Sequence, residues 1–207
     1  MRARYVFLIV CKAASICLSA QPADTTDRYP DGSIRGKGQV FRGIKNGPWT
    51  FFYPNGKVSA TETFTDSKLD GPVVYYYPDG VLQAKESWVD GSIQDSAFYF
   101  YRNGSLEKKG KYLRSRYDGQ WKFYHDNGIL ERMVRYSGGF SEGETSVFNE
   151  KGVLLQTGYY SQGKETGQWK FYNDSGRLEF EGFYREGERS GTWYQYDKKG
   201  RKRVWKY

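Results

Sequence analysis

From residue 28 onward, apolar residues come in short strand-length runs that recur every 24 residues. The period is marked by a glycine, at Gly32, Gly56, Gly80, Gly104, Gly128, Gly152, Gly176 and Gly200. Four residues before it stands an aromatic (Phe52, Tyr76, Phe100, Tyr124, Phe148, Tyr172, Tyr196), with Arg28 instead in the first copy. Two residues after it stands an aliphatic (Ile34, Val58, Leu82, Leu106, Leu130, Leu154, Leu178), replaced by Lys202 in the last. Eight after it come Val40, Phe64, Trp88, Tyr112, Tyr136, Tyr160 and Tyr184. A second glycine column follows fifteen residues after the first, as Gly47, Gly71, Gly119, Gly143, Gly167 and Gly191, broken only by Asp95.

Each copy predicts a β-hairpin. Pro54-Asn55-Gly56 and Pro78-Asp79-Gly80 place a fixed φ, a side chain that bonds local backbone, and a residue tolerant of positive φ in the order a type I turn with a G1 bulge requires. That register sets Tyr124 opposite Leu130 as cross-strand partners. Residues five and seven before the glycine, among them Trp49, Phe51, Trp121, Phe123, Trp169, Phe171 and Trp193, then occupy the other face. With both faces partly apolar, the longer connections such as 137–143 are expected to fold over one of them. The fold class is all-β, an elongated single antiparallel sheet of consecutive β-hairpin repeats. Sixteen strands at about 4.8 Å each give a rod of roughly 75 Å.

Composition agrees with many short strands and tight turns: aromatics are 18% of the 207 residues and 25 are glycine. The first twenty residues differ, with Arg2 and Arg4 ahead of the apolar run 5–11 and small residues up to Ala20. They are expected to be a signal peptide, so residues 1–20 are assigned to it, 21–27 to a linker, and 28–207 to eight repeats ending in a basic cap. Both cysteines, Cys11 and Cys17, fall in the leader, which leaves the body without disulfides or cysteine-based zinc sites. A secreted, periplasmic or cell-envelope location follows as the expectation, with lipid anchoring as the minor variant.

The formal charge of +8 is concentrated at the ends, and residues 21–196 hold 23 basic and 23 acidic residues. Nucleic acid is therefore not an expected partner, since a phosphate backbone needs a concentrated positive face. Only the last residues, with Lys198, Lys199, Arg201, Lys202 and Arg203, offer one. They read either as a contact for anions or anionic lipid headgroups or as charges that guard a terminal strand edge.

The columns resemble MORN repeats, specifically the bacterial variant units. Gly119, Trp121, Tyr124, Asn127, Gly128, Leu130, Tyr136, Gly139 and Gly143 match that pattern in one unit. In another unit Gly167, Trp169, Tyr172, Gly176, Leu178, Tyr184, Gly187 and Gly191 match. The resemblance implies a solenoid-like, non-enzymatic hairpin array credited with protein scaffolding and membrane-lipid contact, some relatives carrying an antitoxin label that a secretion signal argues against. Aromatic hairpin repeats that bind choline or glucan are the competing resemblance, but their units are shorter.

No catalytic residue, cofactor or metal site is expected. His125, the only histidine, stands where other copies have Tyr53, Tyr101, Asn149 or Asn173, and acids such as Asp66, Asp70, Asp90, Glu142 and Glu186 form neither a unique facing pair nor a dense ligand loop. Trp49, Trp121, Trp169 and Trp193 are open to two readings, packing or partner contact. The expected role is a scaffold presenting an extended surface to another protein, with an envelope glycan or lipid headgroup as the alternative partner, and with oligomers possible through sheet edges.

Overall fold

The computed structural model describes residues 21–206; the leader expected at 1–20 lies outside them. Among the described residues there are strands and turns and no helix. The first repeat supplies β1 (Ala23–Arg28) and β2 (Ile34–Phe41), the second β3 (Ile44–Phe52) and β4 (Val58–Thr65). The third holds β5 (Lys68–Leu69), β6 (Gly71–Tyr76) and β7 (Leu82–Val89). The fourth gives β8 (Ser92–Phe100) and β9 (Leu106–Leu113), the fifth β10 (Arg116–Tyr124) and β11 (Leu130–Ser137). Then come β12 (Phe140–Phe148) and β13 (Leu154–Ser161), β14 (Lys164–Tyr172) and β15 (Leu178–Arg185), and β16 (Glu188–Tyr196) and β17 (Lys202–Trp205). Each strand pairs antiparallel with its neighbours in sequence, so the chain forms one open sheet, with β5 and β6 together completing one interrupted strand beside β4.

The glycine-marked turn is the expected one. Gly56 N–H donates to the Tyr53 carbonyl at 2.9 Å and Tyr53 N–H to that of Lys57 at 2.8 Å, while the Asn55 side-chain oxygen accepts from Lys57 N–H at 3.0 Å. Gly56 has φ +79°, as a type I turn closing in a G1 bulge demands. Tyr124 pairs with Leu130, and the equivalent positions pair in every other copy, from Arg28 with Ile34 to Tyr196 with Lys202.

Two expectations are corrected. The connections do not fold over a face: after Ser137 only Gly138 and Gly139 lie between strands, and the chain runs on as β12 through Gly143. These are two-residue turns with both residues at positive φ, for example Arg42 at 51° and Gly43 at 82°, the type I′ geometry whose twist matches that of the strands it joins. Residues 21–27, expected as a linker, are largely β1, because any chain that can hydrogen-bond to the edge of β2 can serve as a first strand even without the aromatic column.

Both edges of the sheet are stapled between repeats. At the type I′ edge a backbone N–H reaches the carbonyl 22 residues back, as Ser67 to Lys45, Gly91 to Leu69 and Gly139 to Tyr117, each at 2.9 Å. At the other edge Tyr29, Tyr53, Tyr77 and Tyr101 donate their hydroxyls to the carbonyls of Phe52, Tyr76, Phe100 and Tyr124 at 2.7–2.9 Å. His125 Nε2 takes the next rung, 3.0 Å from the Phe148 carbonyl. The solitary histidine thus substitutes for a ladder tyrosine.

Candidate interaction surfaces

The inner face carries the core, and the tryptophan column is its centre. Trp49, Trp121, Trp169 and Trp193 are 4%, 0%, 1% and 1% exposed, and the residues standing in their place elsewhere, Val73, Ala97 and Thr145, are equally buried. The second glycine column explains how a single sheet hides an indole. Gly47, Gly119, Gly167 and Gly191 have φ between 65° and 81°, and the ladder slips beside them, between Gly38 and Val40 or between Thr157 and Tyr159. The indole two residues on fills the gap, and its N–H donates to a carbonyl on the preceding strand: Gln39, Lys111, Tyr159 and Phe183, at 2.9–3.2 Å. Edge-on contacts from the aromatic column close it over, as Tyr112 on Trp121 at 5.1 Å and Tyr184 on Trp193 at 5.2 Å between centroids. Burying each such ring contributes about 2–3 kcal/mol.

A third glycine column, unread in the sequence, completes this arrangement. A Cβ on Gly38, Gly110, Gly158 or Gly182 would lie 2.1–2.4 Å from the nearest ring atom of Trp49, Trp121, Trp169 or Trp193 respectively. The copies without tryptophan are those without this glycine: Glu62 precedes Val73, Glu86 precedes Ala97, and Val134 pairs with Thr145. As placed here the four indoles are buried and offer a partner no surface.

Where Val73 and Ala97 leave space, polar groups fill it. Glu86 accepts from the Trp88 indole at 2.9 Å and from the Tyr99 hydroxyl at 2.7 Å, and Tyr99 and Tyr112 hydroxyls lie 3.1 Å apart. Burial, reinforced by Glu62 and Glu86, pushes the Tyr75 phenol up to about 12, and burial with the Glu86 hydrogen bond pushes Tyr99 further still. Burial also raises Glu62 against the pull of Lys45. Tyrosines shifted this way keep their protons at physiological pH and act as fixed donors, which suits a packed network and not a proton-transfer site.

The outer face is different. Reading across strands, Lys85 opposes Phe98, Phe98 opposes Lys109, Lys109 opposes Lys122, and Lys122 opposes Met133. In the adjacent row Ser96 opposes Lys111 and Gln120 opposes Arg135. Phe98 is 37% exposed, and it lines a shallow groove of about 300 Å³ with Lys109, Lys111, Gln120 and Lys122. Asp95 sits 3.6 Å from Lys111, and Asp118 pairs with Lys111 across the ladder, so the patch retains a positive excess. Glu107 and Glu131 alternate onto the same side of β9 and β11, so the outer face gathers lysines around Phe98 while the body as a whole stays neutral.

At that end Lys198, Lys199, Arg201, Lys202 and Arg203 are all exposed, but three have internal work. Arg201 bonds Asp197 at 2.7 Å, Arg203 bonds the Gln195 side chain at 2.7 Å, and Lys202 reaches Glu181 at 3.2 Å while lying 3.6 Å over the Tyr194 ring. Lys202 therefore closes the aliphatic column with an ion pair, and the Tyr196 hydroxyl together with Lys202 holds Glu181 below the usual carboxylate range.

A single open sheet of stacked hairpins, with an indole row inside and charged rows outside, defines the class: a β-hairpin repeat scaffold. The model of the family described as MORN repeat variant matches residues 45–66, 69–90, 117–137 and 165–186, and the chain belongs to this family. Such repeats generally serve as scaffolds for protein or lipid interaction and are typically non-enzymatic. No curated protein matches the sequence. Among solved structures, "Crystal Structure of TcdB2-TccC3-Cdc42" is similar at 12% identity with a TM-score of 0.20, covering 84% of this chain and 13% of that one. "Crystal Structure of TcdB2-TccC3" is similar at 11% with a TM-score of 0.20, covering 84% and 14%. This chain therefore spans about an eighth of the length of those chains, and at such scores the likeness carries no argument.

Proposed function

We propose that the chain is a non-enzymatic scaffold that presents the outer face of its central repeats to an acidic partner protein in the secretory or envelope compartment. The observation that carries the reading is the direct opposition of Lys109 and Lys122 beside a part-exposed Phe98. Like charges opposite one another weaken a sheet by some tenths of a kcal/mol, and a local cost of this kind points to function. An anionic side chain laid between them relieves the repulsion while Phe98 supplies apolar area, the mixture that interface cores favour. The compartment rests on the leader-like pattern of residues 1–20 alone.

Lys122→Glu separates binding from folding. It removes the repulsion, so the thermal midpoint is expected to stay or rise slightly, while the partner protein captured from an extract of the source cells by the unaltered chain is lost. Capture unchanged by this substitution overturns the assignment of the face.

A further inference from the structure

Among the described residues β1 pairs only with β2 and β17 only with β16, so each end of the sheet presents one strand edge. The two edges are not alike in phase. β1 is the first strand of a unit and β17 the second strand of the last, and everywhere inside the sheet a second strand is followed by a first strand. The free edge of β17 is therefore of the kind that every interior first strand already pairs with, and the free edge of β1 is its counterpart. We infer that the chain associates with further copies of itself head to tail, β17 of one copy pairing antiparallel with β1 of the next so that the repeat continues across the junction.

Register and charge both favour this junction. Within the chain Phe180 of β15 pairs with Gln195 of β16, and the residue of β17 aligned with Phe180 across β16 is Arg203, which also pairs with Gln195. Its counterpart on a following first strand is the residue five before the turn glycine, which in β1 is Asp27. Arg203 thus meets Asp27 of a second copy, and Val204, 61% exposed, meets Thr26. The edge strand β1 and its turn carry Asp24, Asp27 and Asp31 against Arg28, although Asp27 also bonds Arg35 of β2 at 2.8 Å, whereas β17 with its turn and the residue after it carries Lys198, Lys199, Arg201, Lys202, Arg203 and Lys206 against Asp197. Pairing of like ends brings like charges together, and only the head-to-tail contact is attractive. Edge lysines that guard against indiscriminate pairing here select one orientation. A contact of this kind is heterologous and does not close on itself, so it generates open chains. With β17 only four residues long, the association is weak and depends on concentration.

Sedimentation of the purified chain over a concentration series, at low salt and at about 0.5 M salt where exposed charges are screened, tests the inference. The expected result is a mass that climbs past the dimer with concentration at low salt and returns to the monomer at high salt. Arg203→Glu should abolish the climb, and Arg203→Glu combined with Asp27→Arg should restore it. A mass that stays monomeric throughout, one that stops at the dimer as closed pairing of like ends would, or a climb indifferent to Arg203→Glu overturns it.

Discussion

Gly158 has no side chain because of Trp169 on the next strand. An added Cβ would lie 2.1 Å from the ring, so the ring or the strand would have to move, and overpacking of this kind costs about 1–3 kcal/mol or more. Thr145 shows the alternative, since it occupies the indole position opposite Val134 and remains buried. Gly158→Val should therefore lower the urea midpoint strongly and Trp169→Thr should do so through lost burial, by about 3–5 kcal/mol. The double substitution, which copies the Val134 and Thr145 pair, should cost clearly less than their sum; strict additivity would contradict the coupling. The pairing was legible in principle, for Gly38, Gly110, Gly158 and Gly182 stand in the sequence where Glu62, Glu86 and Val134 do not accompany tryptophan. Reading columns singly shows conserved spacing, but only reading them in pairs shows complementary volume.

At the scale of elements the two turns of each repeat were unequally legible. Pro-Asn-Gly states its geometry, whereas the type I′ turns are written as Arg42-Gly43, Asp66-Ser67, Asp90-Gly91, Arg114-Ser115 and Gln162-Gly163, with non-glycine residues held at positive φ. Such residues pay for the left-handed region with about 1 kcal/mol. Ser67→Gly, which creates the favoured Asp-Gly pair, should raise stability by about 0.5–1 kcal/mol in urea denaturation. Ser115→Gly should gain less, because the Ser115 hydroxyl accepts from Ile93 N–H at 3.1 Å and that bond would go. Equal gains at the two sites would show that the hydroxyl contributes nothing. β1 was missed for a different reason: ADTTDR has no aromatic or aliphatic signal, and its strand conformation is imposed by β2.

For the whole molecule, the period of 24 fixed the architecture, since equal spacing of turns leaves stacking of hairpins as the only way to bury one apolar row per copy. The lysine cluster around Phe98 was not legible, because it is assembled from β7, β8, β9 and β10, residues that cross-strand pairing brings together and that stand 11–13 positions apart in the sequence. That account depends on a sheet that remains open, with strands meeting only their neighbours and two faces of distinct character. Small-angle scattering of the monomer, at high salt and low protein concentration, measures this directly. Strands stacked about 4.8 Å apart predict a rod with a radius of gyration of roughly 22–25 Å, and a value near the 17 Å or so of a compact chain of this length would contradict it.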